Sequence, residues 1–204
     1  IVEPALYIIL IAALVLPAIF SRHKHPPRGQ VSAVLALVCV AILYSVRDYE
    51  HRAALRVVSG VAFDSGSGRP ETPLRASVYP YPWSLTHWFT VAEMSSFLTD
   101  TDIDSRTGAL SREQLAFYAR SSKTPAMVAA KETYLGRVYL DWAKYPVLTT
   151  SAEGDDAVVR FRDLRFDYPQ FRGRITLSGW VELNQSLQVV RQGFGNREEK
   201  PGAK

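Results

Sequence analysis

Cysteine is nearly absent from this chain of 204 residues, which contains one cysteine and two methionines. Because Cys39 has no partner thiol in the sequence, no intramolecular disulfide can stabilise the fold. The motifs C-x-x-C, H-E-x-x-H and G-x-S-x-G do not occur, and neither His51 nor His87 is followed by a second metal ligand three or four residues later. These absences exclude the common sequence signatures of zinc sites and serine hydrolases.

Charged side chains are missing from two stretches near the N-terminus. Residues 4–21 and residues 29–46 contain no Asp, Glu, Lys, Arg or His. Runs of about 18 apolar residues are near the lower limit for crossing a hydrocarbon core about 30 Å thick, and each must be a helix to satisfy its own backbone groups. The sequence therefore predicts a transmembrane helical hairpin within residues 1–50, with membrane lipid as its partner. A buried helical hairpin of a water-soluble protein is the alternative.

Basic residues near the predicted spans do not assign the side of the membrane. The connector, residues 22–28, carries three Lys or Arg, and residues 47–56 carry three Arg on the other side of the second span. Short basic loops favour the cytoplasm, but here the two counts are equal. The formal net charge of +4 is modest, and no dense basic stripe indicates a nucleic-acid partner.

The remaining sequence predicts one α+β domain, with a mainly antiparallel sheet and two or three helices. Residues 51–74 read as a helix extension that stops at Gly60 and a Gly- and Ser-rich linker, residues 75–192 as the domain, and residues 193–204 as a disordered tail. Strand patterns cover residues 86–104 and 156–168. Residues 174–190 read as one long strand or as a hairpin about Ser178–Gly179.

Two helical regions are predicted between these strand patterns. Residues 111–114 have the form of a capping box and predict a helix over EQLAFYARS. Thr124–Pro125 gives an N-cap followed by proline, and apolar residues at 135, 138, 139 and 142 form a helical face.

An acidic cluster has the spacing of the first ligands of a calcium loop. It comprises Asp100, Asp102 and Asp104. Ser105 occupies the position where such a loop requires glycine, and Ser111 the position of the bidentate glutamate. We therefore favour a charged strand end that runs into a turn over a calcium site.

Five arginines in the last third of the chain could contact anionic lipid head groups or a partner protein if they share one face of a sheet. They are Arg160, Arg162, Arg165, Arg172 and Arg174. Asp163 and Asp167 lie between them, which favours a solvated strand face. An aromatic group at residues 79, 81, 83 and 88 is interpreted as core packing rather than as an interfacial belt or a ligand cleft.

Several stretches resemble a known family. They are residues 51–55 after the second apolar run, PYPW at 80–83 leading into WFTVAE, LGRVYLDWAKYPV at 135–147, and VRFRDLRF at 159–166. Together they resemble the carboxy-terminal half of the YdjM-like predicted membrane-bound metal-dependent hydrolases, also described as LexA-binding inner-membrane proteins. The resemblance extends to about residue 190.

The resemblance implies a multi-pass protein of the bacterial inner membrane. In that family the proposed metal ligands are His and Asp residues of amino-terminal membrane segments, and no stretch here matches them. No catalytic or metal-binding residue is therefore carried over, and no cofactor is expected in this chain. It begins with Ile1 rather than methionine, so we expect the last two membrane helices and the extramembrane domain of a longer protein. The missing helices would be its partners, and a divalent metal would belong to the full-length protein.

Two functions follow as expectations. The first is the non-catalytic portion of a membrane-bound metal-dependent hydrolase, covering or regulating a site in the missing helices. The alternative is a membrane-anchored binding or scaffold module without enzymatic activity, which contacts lipid or a partner protein. A catalytic role for the domain itself is least favoured, because no nucleophile, base and orienting group can be assigned together.

Overall fold

The computed structural model describes residues 4–20, 28–120, 124–171 and 177–195. Two N-terminal helices precede two antiparallel four-stranded sheets, each a meander in which sequential strands are neighbours. The predicted α+β class with mainly antiparallel strands is therefore confirmed. The elements are α1 (Pro4–Phe20), α2 (Arg28–Gly60), β1 (Arg75–Pro80), β2 (His87–Glu93), β3 (Phe97–Asp104), β4 (Ala116–Ala119), α3 (Pro125–Glu132), α4 (Tyr134–Trp142), β5 (Pro146–Glu153), β6 (Asp156–Asp163), β7 (Gly179–Leu183) and β8 (Val189–Phe194).

Helix α2 is continuous over 33 residues but has two different halves. Its apolar half, residues 31–46, exposes most of its side chains, including Leu37 at 69%. Among the described residues, the segment Val31–Gly60 is the one helix long and apolar enough to cross a membrane. Helix α1 packs beside α2 but has 17 residues, which corresponds to about 26 Å and is short of a hydrocarbon core. The predicted two-span hairpin is thus supported only for its second helix.

The second half of α2 packs against the first sheet. Ala54 and Val58 are fully buried in a cluster with Trp88, Phe97 and Ile103. Burial of apolar surface stabilises by roughly 25 cal/mol per Å², so this face fixes the helix to the sheet. The predicted helix extension to Gly60 is confirmed.

The second sheet packs against α3 and α4. Thr124 caps α3 as predicted, and Thr133 caps α4 by accepting a hydrogen bond from the amide of Gly136. Buried residues of both helices, among them Ala130 and Tyr139, contact Phe161 on β6. A third cluster, which we call the sheet junction, joins the outer face of the first sheet to the second half of the chain. Its buried members are Phe89, Val91, Leu98, Tyr145, Val147, Leu164 and Tyr168.

Two local predictions are wrong. The predicted helix over EQLAFYARS is strand β4, because Tyr118 pairs with Leu98 of β3 and the four residues of the strand alternate between half-buried and exposed. Residues 174–190, which read as one long strand or as a hairpin about Ser178–Gly179, instead contain β7 and the start of β8, joined by a turn at residues 184–188. There the Asn184 side chain accepts hydrogen bonds from two backbone amides. Strand β5 is not predicted at all.

The predicted disordered tail begins too early. Gly193 and Phe194 belong to β8 and pair with β7. Residues 196–204 lie outside the described part of the chain.

Replacing Gly136 by alanine will destabilise the contact between α3 and α4. A Cβ at this position would lie 2.1 Å from the carbonyl oxygen of Ala130, so the backbone must shift. We expect the free energy of unfolding, measured with urea in detergent micelles, to fall by about 1–3 kcal/mol. Gly60→Ala is the matched control, since nothing lies within 4 Å of its Cβ position, and it should change stability by less than about 0.5 kcal/mol. Equal effects of the two substitutions would contradict this packing.

Glu71 should titrate below the usual range of a glutamate. The side-chain hydroxyls of Ser95 and then Ser96, with their backbone amides, donate to its carboxylate and lower its pKa. These bonds stabilise the fold above the unfolded-state pKa, about 4.3, and their contribution is lost as pH falls through the lower folded-state pKa. A carbon-detected NMR titration should show the lowered pKa. The double substitution Ser95→Ala and Ser96→Ala should raise it, whereas Ser151→Ala on an exposed strand position should leave it unchanged.

Candidate functional site

Polar side chains converge at the sheet junction. Asp100 and Asp102 lie on the same face of β3, since successive side chains of a strand point to opposite faces. The Tyr118 hydroxyl donates to Asp100 at 3.0 Å, and the Tyr81 hydroxyl donates to Asp102 at 2.6 Å. Asp100 is completely buried. Asp100, Asp102 and Asp104 belong to an extended strand that runs into a turn, which is the interpretation favoured over a calcium loop, and tyrosine hydroxyls contact the first two carboxyl groups.

Asp167 and Arg162 extend this polar cluster from the second half of the chain. The Tyr118 hydroxyl oxygen is 3.4 Å from Asp167, and Arg162 donates to the same carboxylate oxygen at 3.3 Å. The Arg162 guanidinium also lies 5.9 Å from the Tyr118 ring centroid. The cluster therefore provides polar partners across the junction. Since Asp100 has no contact with solvent, the arrangement suits stabilisation rather than substrate binding.

A serine, a histidine and an aspartate meet where β2 begins. The Ser84 hydroxyl is 3.2 Å from His87 Nδ1, and His87 Nε2 is 3.6 Å from Asp104. A neighbouring cavity of about 500 Å³ is lined by the 81–84 loop, His87, Tyr168 and Gln170. The hairpin register, which pairs His87 with Asp104, is the signal in the sequence that could have brought these residues together.

These three residues form structural turns rather than a catalytic triad. The Ser84 oxygen accepts hydrogen bonds from the amides of Thr86 and His87, so it closes its own loop. Asp104 accepts the amides of Thr107 and Arg106, which lower its pKa and hold the turn that was predicted after this strand. The 3.6 Å gap between His87 and Asp104 exceeds a hydrogen bond. The arrangement therefore lacks an activated nucleophile.

A basic cleft of about 350 Å³ is lined by strands of both sheets and by α3 and α4. Four basic side chains, Arg75, Arg120, Lys131 and Lys144, line it together with one acidic side chain, Glu93. The Glu93 carboxylate forms ion pairs with Arg75 and Arg120. The excess of positive charge suits an anionic ligand or an acidic protein segment. Residues 121–123, adjacent in sequence, lie outside the described chain.

The described arginines of the predicted patch do not form one open surface. Arg165 forms an ion pair with buried Asp163 at 2.7 Å and stacks on Trp142. Arg162 is paired with Asp167, and Arg160 is half-buried on β6. Arg172 and Arg174 lie outside the described residues. Contact with lipid head groups through this set remains a prediction, but internal pairing reduces the charge available from Arg162 and Arg165.

Removing the Tyr118 hydroxyl will weaken the sheet junction. Tyr118→Phe takes one hydrogen-bond donor from fully buried Asp100, so we expect the free energy of unfolding to fall by about 1–3 kcal/mol. Tyr134→Phe is the control, because Tyr134 is 74% exposed, and it should have an effect below about 0.5 kcal/mol. Urea unfolding monitored by circular dichroism measures both. A loss no larger than that of Tyr134→Phe would show that the cluster does not stabilise the junction.

Comparison with known proteins identifies no relative. No protein-family model matches the chain, and no curated protein or solved structure is significantly similar to it. The YdjM-like resemblance therefore rests on residues 51–55, 80–93, 135–147 and 159–166 of the sequence.

Proposed function

We propose that this chain is a membrane-anchored, non-catalytic α+β portion of a membrane-bound metal-dependent hydrolase of the YdjM-like type. The observation that carries the anchoring is the continuity of α2. Its apolar half exposes large side chains such as Leu37, and its other half contributes Ala54 and Val58 to the domain core. A membrane segment and a folded domain thus share one helix, and any tilt of that helix moves the domain.

The family assignment is supported by where the resembling stretches lie. The segment WFTVAE forms β2, LGRVYLDWAKYPV forms α4 and the start of β5, and VRFRDLRF forms most of β6 and the turn after it. These elements contribute residues to the apolar cluster between the second sheet and helices α3 and α4, and to the sheet junction. Stretches that form a core bear on the fold of a protein rather than on its chemistry.

The described residues do not fit the metal that the family resemblance implies. Among them, no three His, Cys, Asp or Glu side chains are grouped so that they could hold an ion. We therefore assign the metal to membrane segments other than those described here and derive no reaction step from this chain. Its role would be to cover or position that site from the membrane surface. A bacterial inner-membrane location, with α1 as a second span, belongs to the same proposal.

The basic cleft favours the second candidate, a membrane-anchored binding or scaffold module without enzymatic activity. Its four cations would recognise an acidic partner segment or a small anion. The two candidates share the anchor and differ in whether the longer protein holds a metal.

Membrane anchoring is tested by placing one charge in the apolar half of α2. An arginine near the centre of a spanning helix costs about 2.5–3.5 kcal/mol of insertion free energy. Leu37→Arg should therefore move the chain from the carbonate-resistant membrane fraction to the extract. Leu74→Arg is the matched control, because Leu74 is 72% exposed but lies outside the helices, and it should leave fractionation unchanged. A native chain that is monodisperse in water without detergent would overturn the anchor.

The hydrolase assignment is tested by metal content. We expect the full-length gene product, purified from membranes, to carry a divalent metal such as zinc or manganese. The present chain, purified in the same way, should hold no stoichiometric ion. A tightly held ion in the present chain would contradict the placement of the metal, and a metal-free, inactive full-length protein would favour the binding module.

A further inference from the structure

One end of the first sheet lies beside Glu50 of α2, four residues past the apolar half. The Ser105 hydroxyl donates to Glu50, and the Ser105 amide donates to the Thr86 carbonyl. The loop after β3 and the loop before β2 are therefore both held beside the helix at residue 50. At the opposite end, Glu71, which follows shortly after α2, contacts Ser95 between β2 and β3. The sheet therefore extends from residue 50 away from the apolar half, and its 81–86 loop marks the near end.

The 81–86 loop projects beyond the sheet at this near end. The chain leaves β1 at Pro80, opposite Trp88, and returns at His87. Trp88 lies beside His51 of α2, because the centroids of the two rings are 5.5 Å apart. Residues 81–86 therefore extend past the level of His51 towards the apolar half.

This loop exposes the largest apolar side chain of the sheet. Trp83 is 83% exposed and Leu85 is 37% exposed, whereas Trp88 is buried. The loop is held in place, because the Tyr81 hydroxyl bonds to Asp102 and the Ser84 oxygen accepts the amides of Thr86 and His87. A tryptophan on a fixed loop loses little conformational entropy when it binds a surface.

The position of the loop along the axis of α2 corresponds to the interfacial zone of a bilayer. Glu50 lies four residues past Val46, the last residue of the uncharged run, which corresponds to about 6 Å along the helix. The polar zone on each side of the hydrocarbon core is about 5–8 Å thick. Tyr49 is exposed on α2 within this zone, and Tyr44 is exposed two residues before its edge. Tryptophan and tyrosine are the residues enriched at this depth.

We infer that the 81–86 loop is a second membrane contact, in which Trp83 and Leu85 enter the head-group zone of the bilayer that surrounds α2. The inference rests on the proposed anchoring by α2 and adds to it a fixed orientation of the domain. With two contacts, the helix and the loop, the first sheet is oriented with its 81–86 end facing the bilayer. Phospholipid is the occupant because the exposed Trp83 lies on a loop at the depth of the head-group zone defined by α2, where tryptophan is enriched.

The test uses the full chain, labelled with 5-fluorotryptophan, in phosphatidylcholine nanodiscs. The chain has four tryptophans, and the substitutions Trp83→Phe and Trp142→Phe assign the two fluorine resonances that matter. Trp142 is the matched control, because it is 47% exposed. It lies near Lys144, whose carbonyl accepts a hydrogen bond from Arg75 at the end of the first sheet opposite the 81–86 loop. A lipid carrying gadolinium on its head group then relaxes the nuclei that lie near the membrane surface.

We expect near-complete loss of the Trp83 resonance and retention of the Trp142 resonance. Equal relaxation of the two residues, strong or absent, in a chain that co-purifies with the nanodiscs would overturn the loop contact and leave the α2 anchor intact. A chain that separates from the nanodiscs would overturn both the anchor and the inference that rests on it. A normal circular dichroism spectrum of Trp83→Phe in the same nanodiscs verifies that the assignment variant is folded.

Discussion

The packing of the second half of α2 against the first sheet is the constraint on which the rest of the structure depends. Ala54 and Val58 are small enough to bring the helix close to Trp88 and Ile103, and all four side chains are buried. Because the same helix continues into the exposed apolar half, the position of the domain is coupled to that of the apolar segment. A flexible linker at this point would allow the domain to move independently of the helix; a continuous helix does not.

The sheet junction joins the two halves of the domain through polar as well as apolar contacts. Asp163 accepts hydrogen bonds from the amides of Lys144 and Tyr145 and pairs with Arg165, so it ties the start of β5 to the end of β6. Tyr118 contacts the carboxyl groups of Asp100 and Asp167. Buried carboxyl groups are costly without such partners. The acidic residues whose spacing resembles a calcium loop therefore have structural roles in the fold.

The candidate sites differ in what they offer to a ligand. The Ser84, His87 and Asp104 group borders a cavity, but its oxygens are used by backbone amides. Burial also raises the pKa of Tyr168, which lines that cavity, to about 12, so this hydroxyl is a poor proton donor near neutral pH. The basic cleft offers an excess of positive charge.

The sequence by itself determined the elements whose signals are local: the apolar half of α2, the Thr124 cap, β2, β3 and the turn that follows β3. Only the tertiary structure decided β4, because pairing with Leu98 outweighs the local helical signal around residues 111–114. It also decided the roles of the charged residues, since contact between Tyr118 and Asp167, 49 residues apart, leaves no periodic trace in the sequence. The sequence places Trp83 and Trp88 in one aromatic segment, but the packing of α2 on the sheet buries Trp88, whereas Trp83 is exposed on the loop before β2.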